Sequence, residues 1–213
     1  NFYLSNPFYK NKVFLEKEKC QKKNKFLLTF LPGSRLSELK KAIPLFTDII
    51  KKLDSRKFNF TFVFANKYLH SIFYKKLINN KSLSSYNITY TIGNAIDSMR
   101  KSDISIMSSG TVALEAALIS SNSIIVYRLN FLTYLYVKNK IISNYVSLPN
   151  IILNKEVFPE LLQEKMTTEN VLNYINKILN DYTYRDYQKK QCELIQNQFS
   201  NAIDTFNDCF KFI

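Results

Sequence analysis

The apolar positions of the chain fall into two alternating rhythms. "KFLLTF" (25–30), "FNFTFVFA" (58–65), "NITYTIG" (87–93), "DISIMSS" (103–109) and "SIIVYR" (123–128) are short and rich in β-branched and aromatic residues, so they predict strands. Between them, "LSELKKAIPLFTDIIKKLD" (36–54) places Leu36, Leu39, Ile43, Phe46, Ile50 and Leu53 at gaps of three and four, which describes one helix face. Pro44 inside that run cannot donate to the Lys40 carbonyl and is expected to kink the helix. Helices are also predicted at 67–80, 94–102 and 111–120. The resulting βαβαβαβαβ order is that of an α/β, Rossmann-like parallel sheet with helices on both faces. Near-continuous apolar strands suit a sheet covered on both sides.

Beyond Arg128 the rhythm changes. Residues 131–150 are aromatic and basic, 155–163 form a proline-containing stretch, and 167–181 read as a helix with a threonine cap. From Tyr182 the tail is polar and compatible with a weakly amphipathic helix. Three parts are expected: a lysine-rich lead-in over 1–24, a Rossmann-like domain over 25–181, and a C-terminal helical tail over 182–213. No signal peptide opens the sequence as given, and no apolar run reaches the roughly 18 residues of a membrane span. The first residue is not methionine, so the opening "NFYLSNPFYK" can lie in the middle of something longer.

Charge narrows the field. The formal net charge is +13, mostly from lysine. Attraction to an anionic membrane surface or to phosphate fits this value, as does drift in a Lys-, Asn- and Ile-rich composition. Nucleic acid is the weakest candidate partner, because no known basic motif with aromatic readers is present. Three dispersed cysteines (Cys20, Cys192, Cys209) and one histidine (His70) leave no zinc-ligand spacing, so a Cys/His zinc site is not expected, and no motif in the sequence assigns a cofactor. His70 and the alternating Phe58, Phe60, Phe62 and Phe64 read as packing residues.

Ligands of parallel α/β sheets bind beyond the carboxyl ends of the strands. Two of the chain's three glycines fall in turns at such ends. In Leu31-Pro32-Gly33-Ser34-Arg35, the turn opens a helix whose free N–H groups favour an anion, and Arg35 can fork onto a phosphate. In "SSGTVALE" (108–115), Ser109, Gly110 and Thr111 make a second strand-to-helix turn, and Glu115 lies one helical turn after Thr111, where it could accept two ribose hydroxyls. Each turn also has a plain structural alternative, a βα turn with a surface arginine or a first-turn acid. Asn150, Glu160 and Gln163, beside prolines in "SLPNIILNKEVFPELLQ" (147–163), are either caps or further site residues; if Pro159 opens a helix, Glu160 and Gln163 share a face.

Taken together, "LPGSRLSELKKAIP" (an acidic residue following the arginine), "SSGTVALEAAL" and "SLPNIILNKEVFPELLQ" resemble the carboxyl-terminal half of lipid-A-disaccharide synthases. The opening "YLSNPF" matches the place of a Gly-His-Pro in that family, with Ser5 and Asn6 replacing the Gly and His. The resemblance implies one half of a GT-B glycosyltransferase that binds a UDP-sugar. It implies transfer of 2,3-diacylglucosamine from UDP to 2,3-diacylglucosamine 1-phosphate at the cytoplasmic face of the inner membrane, without a catalytic metal. It also implies a missing amino-terminal domain carrying the general base. On this mapping Gly33, Ser34, Arg35, Ser109, Gly110 and Thr111 meet the diphosphate, Arg35 offsets leaving-group charge, Glu115 holds the ribose, and Asn150, Glu160 and Gln163 line the sugar side. The stretch 130–140 mixes Tyr, Phe and Lys in a way that suits either a lipid interface or a packed helix. A different UDP-sugar, or a non-catalytic basic nucleotide- or nucleic-acid-binding module, stands as the alternative.

Overall fold

A computed structural model describes residues 25–78, 81–108, 110–128 and 145–210. Six parallel strands form one sheet: β1 (Phe26–Leu31), β2 (Phe58–Phe64), β3 (Ile88–Ile92), β4 (Ile104–Met107), β5 (Ser123–Tyr127) and β6 (Glu160–Leu162), in the spatial order β3-β2-β1-β4-β5-β6. The expected α/β Rossmann-like sheet is therefore present, with one strand more than the sequence pattern predicts. Helices α1 (Leu36–Lys52), α2 (Lys67–Ile78), α3 (Ala95–Lys101), α4 (Thr111–Leu118), α5 (Leu148–Leu153), α6 (Thr168–Asn180) and α7 (Tyr182–Phe210), with short 3-10 turns at Lys81–Leu83 and Gln163–Lys165, complete the described elements. The lead-in over 1–24, Ser109 and the aromatic, basic stretch 130–140 lie outside the described residues.

The alternation of the strands divides the core into two layers. Leu28, Phe30, Phe60, Phe62, Ile106 and Val126 point to the face covered by α1, α2 and α6. Leu31, Val63, Met107 and Ile125 point to the other, where the buried Ala113, Ala116 and Ala117 of α4 and Cys192, Ile195 and Phe199 of α7 meet them. The alanines let α4 lie close to the sheet. Gln196 of α7 then donates to the Leu118 carbonyl (2.9 Å) and the Ser120 hydroxyl (3.1 Å) at the end of that helix, so the polar tail helix is packed against the domain along its middle.

Helix α1 runs through Pro44 without interruption; the proline lies on the exposed face, where the carbonyl it leaves unpaired can reach water. One expectation is corrected: Pro159 directly precedes strand β6 and opens no helix. The N–H it lacks is not needed by the β6 ladder, while its carbonyl accepts from Ile125 N at 2.9 Å. The four phenylalanines of β2 are core, as read: Phe62 is fully buried, with ring centroids 5.0 Å from Phe30 and 4.8 Å from Phe73.

Phe62→Ala should cost about 3–5 kcal/mol in urea unfolding, through lost burial and a residual cavity. Tyr90→Ala, on the exposed edge strand β3, should cost less than half of that.

Candidate functional site: the crevice between β1 and β4

β1 and β4 are neighbours in register, with Leu31 opposite Met107, yet the helices that follow them pack on opposite faces of the sheet. The two connections therefore diverge and leave a crevice at the carboxyl rim, the usual ligand position in this architecture. Ser108 pins the rims together: its N–H donates to the Leu31 carbonyl and its hydroxyl to the Pro32 carbonyl, both at 3.0 Å.

After β1, Gly33 takes φ +103°, in the region that favours glycine. Its missing side chain has a specific consequence: a Cβ there would lie 2.3 Å from Glu38 Oε2 and 2.9 Å from Glu38 Cβ. Glycine thus makes room for Glu38, at the third position of α1. Glu38 Oε2 accepts from the backbone N–H groups of Ser34 (3.1 Å) and Arg35 (3.3 Å), as in a capping box. The Arg35 guanidinium stays largely exposed, with Nη1 3.7 Å from Glu38 Oε1. Exposed pairs of this kind contribute about 0–1 kcal/mol, so little holds the guanidinium back from a ligand. Tyr127, at the end of β5, is half-buried; burial first, and then the neighbouring Glu38 carboxylate, push its phenol up.

After β4, Gly110 is exposed, its φ of 164° is ordinary extended backbone, and a Cβ added to it would meet nothing within 4 Å. No contact among the described residues therefore calls for glycine at this position. Thr111 begins α4, and Glu115 lies one turn on. Among the described residues the Glu115 carboxylate has no protein hydrogen-bond partner, and burial pushes it above the ordinary value of 4.5.

One cavity of about 400 Å³ brings these groups together, with Gly33, Ser34, Arg35, Gly110, Thr111 and Glu115 all in its wall. That is the size of a small-molecule site. Glu38 and the turn at Gly93, after β3, line it as well. In the sequence Glu38 figures only as the acidic residue following the arginine and Gly93 only as a strand end, and neither is assigned to the site, although a glutamate at the third position of a helix is itself a capping signal.

Asn150, Glu160 and Gln163 are gathered at a second cavity, of about 340 Å³. Asn150 is fully buried: its amide donates to Phe158 O (2.8 Å) and Glu160 Oε1 (3.0 Å) and accepts from the N–H groups of Val157 (2.9 Å) and Phe158 (3.0 Å). Glu160 further accepts from Val146 N, Ser147 N and the Ser147 hydroxyl, at 2.9, 2.8 and 2.6 Å. In this structure both side chains brace the loop that delivers β6. Gln163 differs: it directly follows β6 on the carboxyl rim, starting a 3-10 turn with φ +50°, an uncommon conformation for a residue with a side chain, and its carbonyl accepts from Arg128 Nη2 at 3.1 Å. Lys41 of α1 in turn donates to the Arg128 carbonyl at 3.1 Å. His70 packs against the Tyr90 ring, centroids 4.1 Å apart, away from both sets of residues.

The sheet order and the crevice define an α/β domain of the kind that forms one half of GT-B glycosyltransferases. Two solved structures share the fold: Anabaena HepE in complex with UDP and glucose (14% identity, TM-score 0.52, covering 89% of this chain and 49% of that one), and S. aureus TarM in complex with fondaparinux, α-GlcNAc-glycerol and UDP (12% identity, TM-score 0.53, 92% and 38%). The chain belongs to the lipid-A-disaccharide synthetase family, whose model matches residues 6–211. Curated relatives include lipid-A-disaccharide synthase 2 of Legionella pneumophila strain Lens, 32% identical over 171 residues, covering 78% of this chain and 44% of the relative. The lipid-A-disaccharide synthase of Francisella tularensis subsp. novicida is 28% identical over 221 residues, covering 96% and 57%. The chain thus spans about half the length of the curated relatives it matches.

The contrast between the two turns is measurable. Gly33→Ala should lower the melting temperature, because the backbone is strained and Glu38 is displaced, whereas Gly110→Ala should leave it unchanged. Glu115→Gln should not destabilise the fold at neutral pH. A carboxyl whose value is raised on folding favours the fold below the ordinary value of 4.5 and loses that contribution as pH rises through the raised value. Relative to the Gln variant, wild type should therefore be most stable in acid and least stable at neutral pH in parallel urea titrations.

Proposed function

We propose that the β1–β4 crevice binds the uridine diphosphate moiety of a UDP-sugar, and that the chain is the donor-binding half of a lipid A disaccharide synthase. Its substrates would be UDP-2,3-diacylglucosamine and 2,3-diacylglucosamine 1-phosphate. The observation that carries this reading is Glu115, a half-buried carboxylate with no hydrogen bond among the described residues, in the wall of the same cavity as Arg35 and the two helix N-termini. A carboxylate in that state lacks hydroxyl donors, which a ribose supplies. The α1 and α4 N-termini and Arg35 favour a diphosphate. Gly110, which no described side chain constrains, lets a ligand approach the backbone.

In the transfer step, the bond between the sugar anomeric carbon and the β-phosphate oxygen breaks while an acceptor hydroxyl attacks that carbon. Negative charge grows on the departing UDP. The helix ends offset it from fixed positions and Arg35 by closing onto the phosphates, which stabilises the transition state more than the ground state. Gln163 and the loop braced by Asn150 and Glu160 form the sugar side. The proton of the acceptor hydroxyl goes to a base on an amino-terminal domain that pairs with this chain. Among the described residues no helix is long and apolar enough to cross a membrane. We place the protein peripherally at the cytoplasmic face of the inner membrane, where the net charge of +13 favours anionic lipid.

Calorimetric titration with UDP tests the site. Arg35→Ala should weaken binding about 10- to 100-fold, the value of a charge-assisted hydrogen bond or two. Glu115→Gln should weaken it by a similar factor without loss of stability. Lys51→Ala, in the last turn of α1 far from the rim, should leave it unchanged; equal small effects at all three positions would refute the assignment. With an amino-terminal domain supplied, turnover should depend on the acyl chains of both sugars.

A further inference from the structure

In this structure the anion seat at the α1 N-terminus is held by a carboxylate of the chain itself. Glu38 Oε2 accepts the N–H groups of Ser34 and Arg35, at 3.1 and 3.3 Å, and Oε1 faces the Arg35 guanidinium at 3.7 Å. These are the donors that a phosphate at this turn would use. The Glu38 side chain is only 13% exposed while Arg35 is 76% exposed, so the carboxylate is seated in the cavity wall and the arginine reaches outward. The absent side chain of Gly33 provides the space in which the carboxylate sits.

We propose that Glu38 is an affinity-setting residue of the nucleotide site: its carboxylate occupies the anion seat, and a diphosphate takes the seat only by displacing it. This rests on the reading of the crevice as a diphosphate site. Displacement costs the same free energy for every anion. An inorganic phosphate, which has only the seat to bind to, is thereby excluded. A nucleoside diphosphate keeps its further contacts with Arg35, Glu115 and the rest of the cavity and remains bound. Once the ligand leaves, Glu38 returns to the two amides, which favours release of the product UDP. The competing arrangement keeps Glu38 on the amides throughout, with the diphosphate outside it on Arg35 and α4; Glu38 would then hold Arg35 in place for the ligand.

Glu38→Gln separates the two. A glutamine at this position of a capping box still accepts from the same amides, so the helix start is kept and only the charge is removed. The expected result is UDP binding about tenfold tighter than wild type, the scale of removing one unit charge a few ångströms from a diphosphate near the surface. Inorganic pyrophosphate should gain by the same factor, since the cost removed is common to both. Glu38→Ser, a shorter neutral acceptor, should shift both ligands in the same direction, and it decides the matter if the Gln variant melts below the assay temperature. Wild type that binds UDP with unchanged or tighter affinity than the two variants overturns the role of Glu38 and leaves the nucleotide site standing. Failure of wild type and both variants to bind UDP or pyrophosphate overturns the nucleotide reading and this inference together.

Discussion

Two parallel strands lie side by side in register, and their chains leave in opposite directions: β1 feeds α1 on one face of the sheet and β4 feeds α4 on the other. The crevice exists because of that divergence, and every group of the candidate site hangs on one of its two lips. Ser108 sets the width by bonding back to Leu31 and Pro32 across the gap. The two helix N-termini then carry their partial positive charge to a common point, which is what an anion needs and what no single turn supplies.

Inside the crevice the charged groups stand at different depths. Arg35 stands in solvent at the start of α1, whereas Glu38 and Glu115 are drawn into the wall. They differ in what they find there. Glu38 is met by two amides and a guanidinium. Glu115 is met by no hydrogen-bond donor among the described residues, and burial raises its carboxyl accordingly. A side chain that costs stability and gains nothing from the fold is the strongest sign of function in the molecule, and membership of the lipid-A-disaccharide synthetase family gives that sign a chemical direction.

The second cavity follows a different logic. Asn150 and Glu160 direct their hydrogen bonds inward, tying α5, the turn at Val157 and Phe158, and the start of β6 into one unit. Such a network orients its neighbours rather than itself. The residue it brings to the rim is Gln163, in a strained backbone conformation beside Arg128. Through Arg128 and Lys41 this rim is also linked to α1.

The sequence by itself determined five of the strands and the helices between them, because period-two and period-3.6 burial are local properties of a chain. It also placed Gly33, Arg35, Gly110 and Glu115 at strand-to-helix turns, since such turns are marked by glycine and by the change of period. It could not supply β6: Glu160–Leu162 is too short to show alternation and becomes a strand only by pairing with β5. Nor could it tell that Gly33 accommodates Glu38 while Gly110 accommodates nothing, or that Asn150 and Glu160 bond to each other across ten residues. Those facts depend on which side chains meet in space, and that is decided by the packing of helices on a twisted sheet, to which no window of sequence has access.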